Sequence, residues 1–442
     1  MRRFLFITAA IVVALSSCKK GDYKQLLHNP ALYRKTVHEL NSIVMGNNFT
    51  PVVASRNYAY ANIAAYEVIA AGNPAHYTSL RGQLNGLKEV PKPESVGKID
   101  FEYAALLAFC GVGQTVTFPE GSMQYYTDSL HIMAEEHGMP EEMITASENY
   151  AKQVTDAIVK WSKDDNYLKT RSAPKYSVRS NVDGRWIPTP PSYAAAVEPH
   201  WQQIRPMLMD SASQFRVPPP PVYNVKDKNS KYYQEVKYML DMTSKLSSEQ
   251  KDIADFWDDN PGKLNVLGHV QYITKKFSPP GHWMSIAGIA AENAKADFPT
   301  TVYGFAKTAI ALYDSFIQCW DAKYFYNTAR PETVINKFFN ADWRPHLQTP
   351  PFPEYTCGHS TISSAAAEAL TSVFGDHLAY RDTSELEFGI KSRSFPSFRA
   401  AAEENNWARF YGGLHFHNSC MVAHEYGKRV GDLVATKLVM KK

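Results

Sequence analysis

Beyond its first fifteen residues, the 442-residue chain lacks any run of about eighteen apolar residues, so no membrane-spanning helix is expected there. Net charge is nearly absent too: 47 lysines and arginines against 44 aspartates and glutamates leave +3, too weak a field to recruit nucleic acid or an anionic lipid surface. Cysteine is sparse. Five residues dispersed over this length are not the dense framework of a disulfide-stapled domain. Long β-branched runs with period-two alternation are missing, which excludes a substantial sheet, and there is no internal repeat or low-complexity tract. What is present is 44% hydrophobic residues and 13% aromatics, including 26 tyrosines, enough to bury a large core by helix–helix packing.

Residues 1–18 read as lying outside the fold. Arg2 and Arg3 form a basic start, and Phe4 to Leu15 is an apolar stretch too short to span a bilayer. Leu15-Ser16-Ser17-Cys18 follows and resembles a bacterial lipobox. That resemblance implies cleavage before Cys18, lipidation of its thiol, and a protein tethered to a bacterial membrane outside the cytoplasm, in the periplasm or at the cell surface. A plain secretory signal, with Cys18 incidental, is the alternative. Of the remaining cysteines, Cys110 and Cys319 are expected as buried free thiols.

The periodicity predicts an all-α protein. Apolar residues at three- and four-residue spacing predict helices from near Pro30 to Met45, Arg56 to Ala71, Phe101 to Val116, Pro119 to His137 and Pro140 to Asp164. Residues 166–227 differ: proline clusters at 188–191 and 218–221 predict a long irregular segment that crosses a surface or covers a site. Helices resume at 230–246, 248–258, 283–296, 300–320, 361–374 and 420–438. Gly427 and Gly431, four apart, let a neighbouring helix approach closely. This divides the chain into an N-terminal helical region, 28–279, and a second bundle, 280–437.

Three stretches in that second bundle carry candidate chemistry. In the first, Lys323 and Arg330 are seven residues apart and share a face if the helix continues, with Pro331 ending or kinking it. In the second, Thr356-Cys357-Gly358-His359-Ser360 leads into an alanine-rich helix, where backbone N–H groups and the positive dipole end favour an anion. Cys357 and Ser360 add side-chain donors there, Ser360 alternatively serving as the N-cap. In the third, Arg409 and His415 flank Gly412-Gly413, which breaks a helix so that His415 heads the next. Together these residues supply the cations, the amide and the proton-transfer histidines that a tetrahedral oxyanion requires. The competing local reading is a metal site of His415, His417, His424 and Glu425, whose spacing fits no zinc pattern.

Lys-x6-Arg-Pro, a Gly-His element and Arg-x5-His, in this order, resemble the superfamily of vanadium-dependent haloperoxidases and type 2 phosphatidic acid phosphatases. Trp320-Asp321-Ala322-Lys323-Tyr324 and Pro280-Gly281-His282-Trp283 further resemble its soluble bacterial haloperoxidase-like branch. The resemblance implies a helical bundle in which Lys323, Arg330, Arg409 and the Gly358 amide bind oxyanion oxygens. It also implies that His359 acts as acid–base and that His415 holds vanadate or becomes phosphorylated. The implied activity is halide oxidation by hydrogen peroxide with vanadate as cofactor. The alternatives are cofactor-free hydrolysis of phosphate esters through a phosphohistidine, or capture of an oxyanion without catalysis.

Two positions depart from the family pattern. Thr356-Cys357 stands where Pro-Ser is usual, and Ser419 stands where an acidic residue often orients the nucleophilic histidine. A thiol is a poorer donor than a hydroxyl and is oxidised by peroxide, so Cys357 is expected either in a disulfide with Cys420 or in a protein that does not run peroxide chemistry.

Overall fold

Proline, which breaks helices from within, starts five of them in the computed structural model, occupying the first turn of the helices at 30, 51, 279, 298 and 331, where a missing N–H costs nothing. Residues 21–442 are described; the leader and Cys18 lie outside the described residues. In chain order the helices are α1 Tyr23–Leu27, α2 Pro30–Gly46, α3 Pro51–Gly72, α4 Phe101–Val116, α5 Gln124–Glu136, α6 Glu141–Ser162, α7 Tyr167–Arg171, α8 Lys231–Thr243, α9 Ser248–Phe256, α10 Pro279–Asn293, α11 Phe298–Tyr326, α12 Pro331–Phe338, α13 Gly358–Phe374, α14 Phe398–Tyr411 and α15 His417–Lys437. Two small antiparallel hairpins complete the described residues: β1 Lys263–Leu267 with β2 Val270–Thr274, and β3 Tyr380–Asp382 with β4 Arg393–Phe395. The protein is mostly helical, as the periodicity predicts.

Two helices form the axis of the core. In α3 and α11 almost every side chain is buried, because apolar and small residues cover the whole circumference and not one stripe. One cluster of buried side chains runs from Leu27 to Met440, across the 279/280 boundary. The glycine spacing works at the C-terminus: a Cβ on Gly427 would lie 2.1 Å from the Thr361 carbonyl oxygen, and one on Gly431 2.8 Å from that of Ala365. Helices α13 and α15 therefore touch backbone to backbone. No helix among the described residues is long and apolar enough to cross a membrane.

Segment 166–227 is largely irregular but firmly held. The buried Asp314 carboxylate on α11 accepts hydrogen bonds from the N–H groups of Met207, Leu208 and Met209 at 2.6, 2.8 and 2.9 Å. Trp186 and Trp201 are fully buried, and the Val197 carbonyl receives both Trp320 Nε1 and Tyr324 Oη. The segment thus lies across the end of α11 that carries Lys323.

Several local expectations are corrected. Lys323 and Arg330 do not share a helical face: α11 stops at Tyr326 because Asn327 adopts a left-handed conformation, φ 51°. Pro331 opens α12 and does not close the helix before it, and Arg330 is its N-cap residue. The helix expected from Pro119 begins at Gln124.

Candidate active site

Each of the three motifs reaches the site through a helix end. Lys323 sits in the last turn of α11, wholly buried, and its ammonium donates to the carbonyls of Pro353, Glu354 and Thr356. Its three donors are committed to the loop ahead of α13, so Lys323 clamps that loop and lends it a positive charge. Burial lowers its pKa to about 8. Arg330 is also fully buried. Its Nε donates to the Phe352 carbonyl at 2.8 Å, and its Nη1 lies 3.0 Å from both the Leu414 carbonyl and His415 Nε2. Burial lowers the Arg330 pKa to about 10.

The Cys357–Ser360 stretch starts α13 three residues earlier than its alanine run suggests. Cys357, not Ser360, is the N-cap residue, and its side chain caps nothing. The first-turn N–H groups at Gly358, His359 and Ser360 are therefore left for another acceptor. Cys357 and Cys420 are both free, buried thiols, so the disulfide, one of the two alternatives expected for Cys357, is not formed. Burial opposes ionisation of Cys357, yet its pKa falls well below the ordinary range because the Cys420 thiol hydrogen-bonds to it and His415 lies beside it.

Arg409 is in the last turn of α14, and the chain then turns at Gly413, φ 77°. His415 precedes α15, which begins at His417 with Phe416 as N-cap, so His415 does not head that helix. Its Nδ1 lies 3.2 Å from Glu354 Oε1, which also accepts from Phe416 N at 3.2 Å. These partners assign the tautomer: Nδ1–H donates to Glu354, and the Nε2 lone pair faces the Arg330 guanidinium. Glu354 thus does what an acidic residue at 419 would have done. Ser419 is buried and its hydroxyl has no partner. Sequence reasoning missed Glu354; the only signal was its place at the end of the Pro350–Pro353 approach.

His359 Nε2 lies 3.6 Å from Asp259 Oδ2 on the turn after α9. Burial lowers the His359 pKa, the charge of Arg409 adds to this, and Asp259 opposes it. Asp259 was also missed, although Asp258-Asp259-Asn-Pro-Gly after a helix was visible as a turn. The alternative metal set is not assembled: His424 bonds Ser364 at 2.8 Å and His417 packs on Trp407.

Gly358, His359, Arg409 and His415 line one cavity of about 220 Å³, with Asp259 beside them and a rim that includes Phe49, Pro51, Phe316, Trp320 and Phe352. Arg330 Nη2, Arg409 Nε, His359 Nε2 and Ser360 Oγ are buried polar atoms without partners. Such atoms are costly unless a ligand satisfies them. Two guanidinium donors, a helix-start N–H and an imidazole lone pair suit a tetrahedral oxyanion such as vanadate or phosphate.

Residues 304–441 match the family described as the VCPO second helical-bundle domain. No curated protein matches the chain. Among solved structures, a bacterial vanadium-dependent iodoperoxidase is 42% identical and superposes with a TM-score of 0.88, covering 93% of this chain and 97% of that one. The holo and apo forms of a bacterial vanadium-dependent chloroperoxidase give TM-scores of 0.64 and 0.65 at 17% and 18% identity. They cover 90% and 88% of this chain and 93% and 94% of theirs, a likeness of fold.

Proposed function

This chain belongs to the vanadium haloperoxidase superfamily, and we propose on that premise that it binds vanadate at His415 and uses hydrogen peroxide to oxidise halide. The observation that carries the proposal is the set of unpartnered buried donors around the His415 lone pair. When bound, vanadate supplies a Lewis-acidic centre at which peroxide is activated. His415 keeps its Nδ1 proton on Glu354 and offers Nε2 to the cavity, in exchange for its present contact with Arg330 Nη1. Arg330 Nη2, Arg409 Nε and the Gly358 N–H donate to oxyanion oxygens, while Lys323 adds charge from beneath the loop. His359, whose Nε2 faces Asp259 at 3.6 Å, takes up and returns protons at the reacting oxygen. The aromatic rim limits water and strengthens each of these contacts.

The 42% identical structure is that of an iodoperoxidase, so iodide is the first halide to test. One observation favours phosphate-ester hydrolysis as a second reading: Cys357 is a free thiol at the site with its thiolate favoured, a group that peroxide consumes. In that reading His415 Nε2 attacks phosphorus and His359 protonates the leaving oxygen. A paired assay on one lipid-free preparation separates them. Iodide oxidation that appears only with vanadate supports the first reading; p-nitrophenyl phosphate hydrolysis without vanadate, and no halide oxidation with it, replaces it by the second. The proposal includes a lipid anchor at Cys18 and an extracytoplasmic location; a fatty-acid label retained by Cys18→Ala would remove that part.

A further inference from the structure

Behind Asp259 lies a second buried cluster that the proposed chemistry does not use. His282, in the first turn of α10, is fully buried and stacks on Trp257 with ring centroids 4.8 Å apart. Three carboxylates surround it. Its Nε2 is 2.9 Å from Asp382 Oδ2, and its Nδ1 is 2.8 Å from Asp259 Oδ1 and 3.9 Å from Glu385 Oε1. Asp382 is itself held: its Oδ1 accepts from Ser384 N at 3.0 Å and Ser384 Oγ at 2.6 Å. Glu385 is not. Neither of its oxygens has a hydrogen-bond partner, although the side chain is 1% exposed, whereas Asp259 Oδ2 faces His359 Nε2 at 3.6 Å. A buried carboxylate left without donors costs several kcal/mol unless a cation or a proton neutralises it.

We propose that Asp259, His282 and Glu385 bind a divalent transition-metal cation, zinc or manganese. Three features of the geometry support this. Ligand atoms from the three residues lie within 4.8 Å of one another. Ligands about 2.1 Å from a tetrahedral centre sit about 3.4 Å apart, and the 2.8 and 3.9 Å separations bracket that spacing. The Asp382–His282 contact is the carboxylate–histidine pairing that fixes a ligating imidazole, Nε2–H on the carboxylate and the Nδ1 lone pair on the metal. One imidazole with two carboxylates suits zinc or manganese better than calcium or magnesium, which favour oxygen-only shells.

Charge balance agrees. Beyond His282 and His359, Lys276 is the cation that acts on these carboxylates. Without a metal, protons on the cluster must offset part of this buried negative charge. A dication takes their place, so its binding releases protons. The consequence reaches the active site, because Asp259 presents Oδ1 to the cation and Oδ2 to His359. This inference stands apart from the identity of the anion at His415.

The test titrates chelator-treated, full-length protein with Zn²⁺ and with Mn²⁺ by calorimetry in two buffers of different ionisation enthalpy. One cation per chain is expected, with net proton release, and an affinity lowered about 100-fold in Glu385→Gln. Because that variant can fail to fold, X-ray absorption on the wild-type zinc complex provides a second readout. Nitrogen and oxygen ligands at about 2.0–2.2 Å support the site. Sulfur ligation, which would place the metal at Cys357 and Cys420, overturns it. So does a stoichiometry near zero for both cations, or an unchanged affinity in folded Glu385→Gln.

Discussion

Two buried clusters meet near Asp259, and their leftover charges are opposite. On one side Lys323, Arg330 and Arg409 converge with Glu354 as the carboxylate among them, and donors on both arginines remain unpartnered. On the other side Asp259, Asp382 and Glu385 surround His282, and acceptors remain unpartnered. Both clusters are costly in isolation, since a buried charge is tolerated only when something balances it. The sign of what is left over therefore names the ligand: an oxyanion for the first, a cation or protons for the second. Each cluster also contains a histidine with one nitrogen fixed by a carboxylate, His415 by Glu354 and His282 by Asp382, which leaves the other nitrogen facing the unbalanced side.

Substitutions that strike one cluster and spare the other sharpen this contrast. The largest effect is expected at His415, where alanine should abolish turnover; wild-type rates in His415→Ala would move the chemistry elsewhere. His359→Ala should slow turnover by about 10²–10⁴-fold, the usual worth of a positioned acid–base group, while leaving the protein's thermal midpoint nearly unchanged. If its effect instead tracks a loss of stability, His359 belongs to the packing and not to the reaction.

A subtler change is Glu354→Gln, which keeps a hydrogen-bond acceptor for His415 Nδ1–H and removes the charge. About a 10–100-fold loss in vanadate affinity is expected, as for other groups that orient a metal-binding histidine. An unchanged affinity would show that Ser419 needs no substitute.

The smallest effect concerns pH. Lys323 is protonated below its lowered pKa of about 8, so its charge supports oxyanion binding there and is lost as pH rises through that value. Oxyanion affinity should fall above about pH 8 in the wild type by up to tenfold per unit. Lys323→Met should lack that fall relative to the titration of the anion itself; an identical pH profile in both proteins would remove Lys323 from the binding energetics.

The first cluster was largely legible in the sequence and the second was not. Lys323, Arg330, Gly358, His359, Arg409 and His415 stand in short ordered motifs near helix ends, where glycine, proline and charge mark an anion site. Their placement was less legible than their identity. Lys323 and Arg330 were expected on one helical face, whereas Asn327 in a left-handed conformation ends α11 between them. Cys357 and Cys420 do meet, as a hydrogen-bonded pair of thiols and not as the disulfide that was one of the two alternatives expected. Asp259 follows α9, whereas Asp382 ends β3 and Glu385 lies three residues further along the same segment; only tertiary packing brings these two stretches to His282 on α10. Glu354 was hidden for the same reason. Most of the helical bundle was legible, because the 3.6-residue period is a local property of each segment, but α12 and α14 were not among the expected helices.

The most direct test is calorimetric titration of orthovanadate into the wild type, Arg330→Ala and Arg409→Ala, with phosphate as competitor. One vanadate per chain is expected, displaced by phosphate, with affinity weakened by about 1.5–3 kcal/mol in each variant, the range of a charge-assisted contact. Equal affinity in all three proteins would contradict the assignment of the cavity at His415 as an oxyanion site.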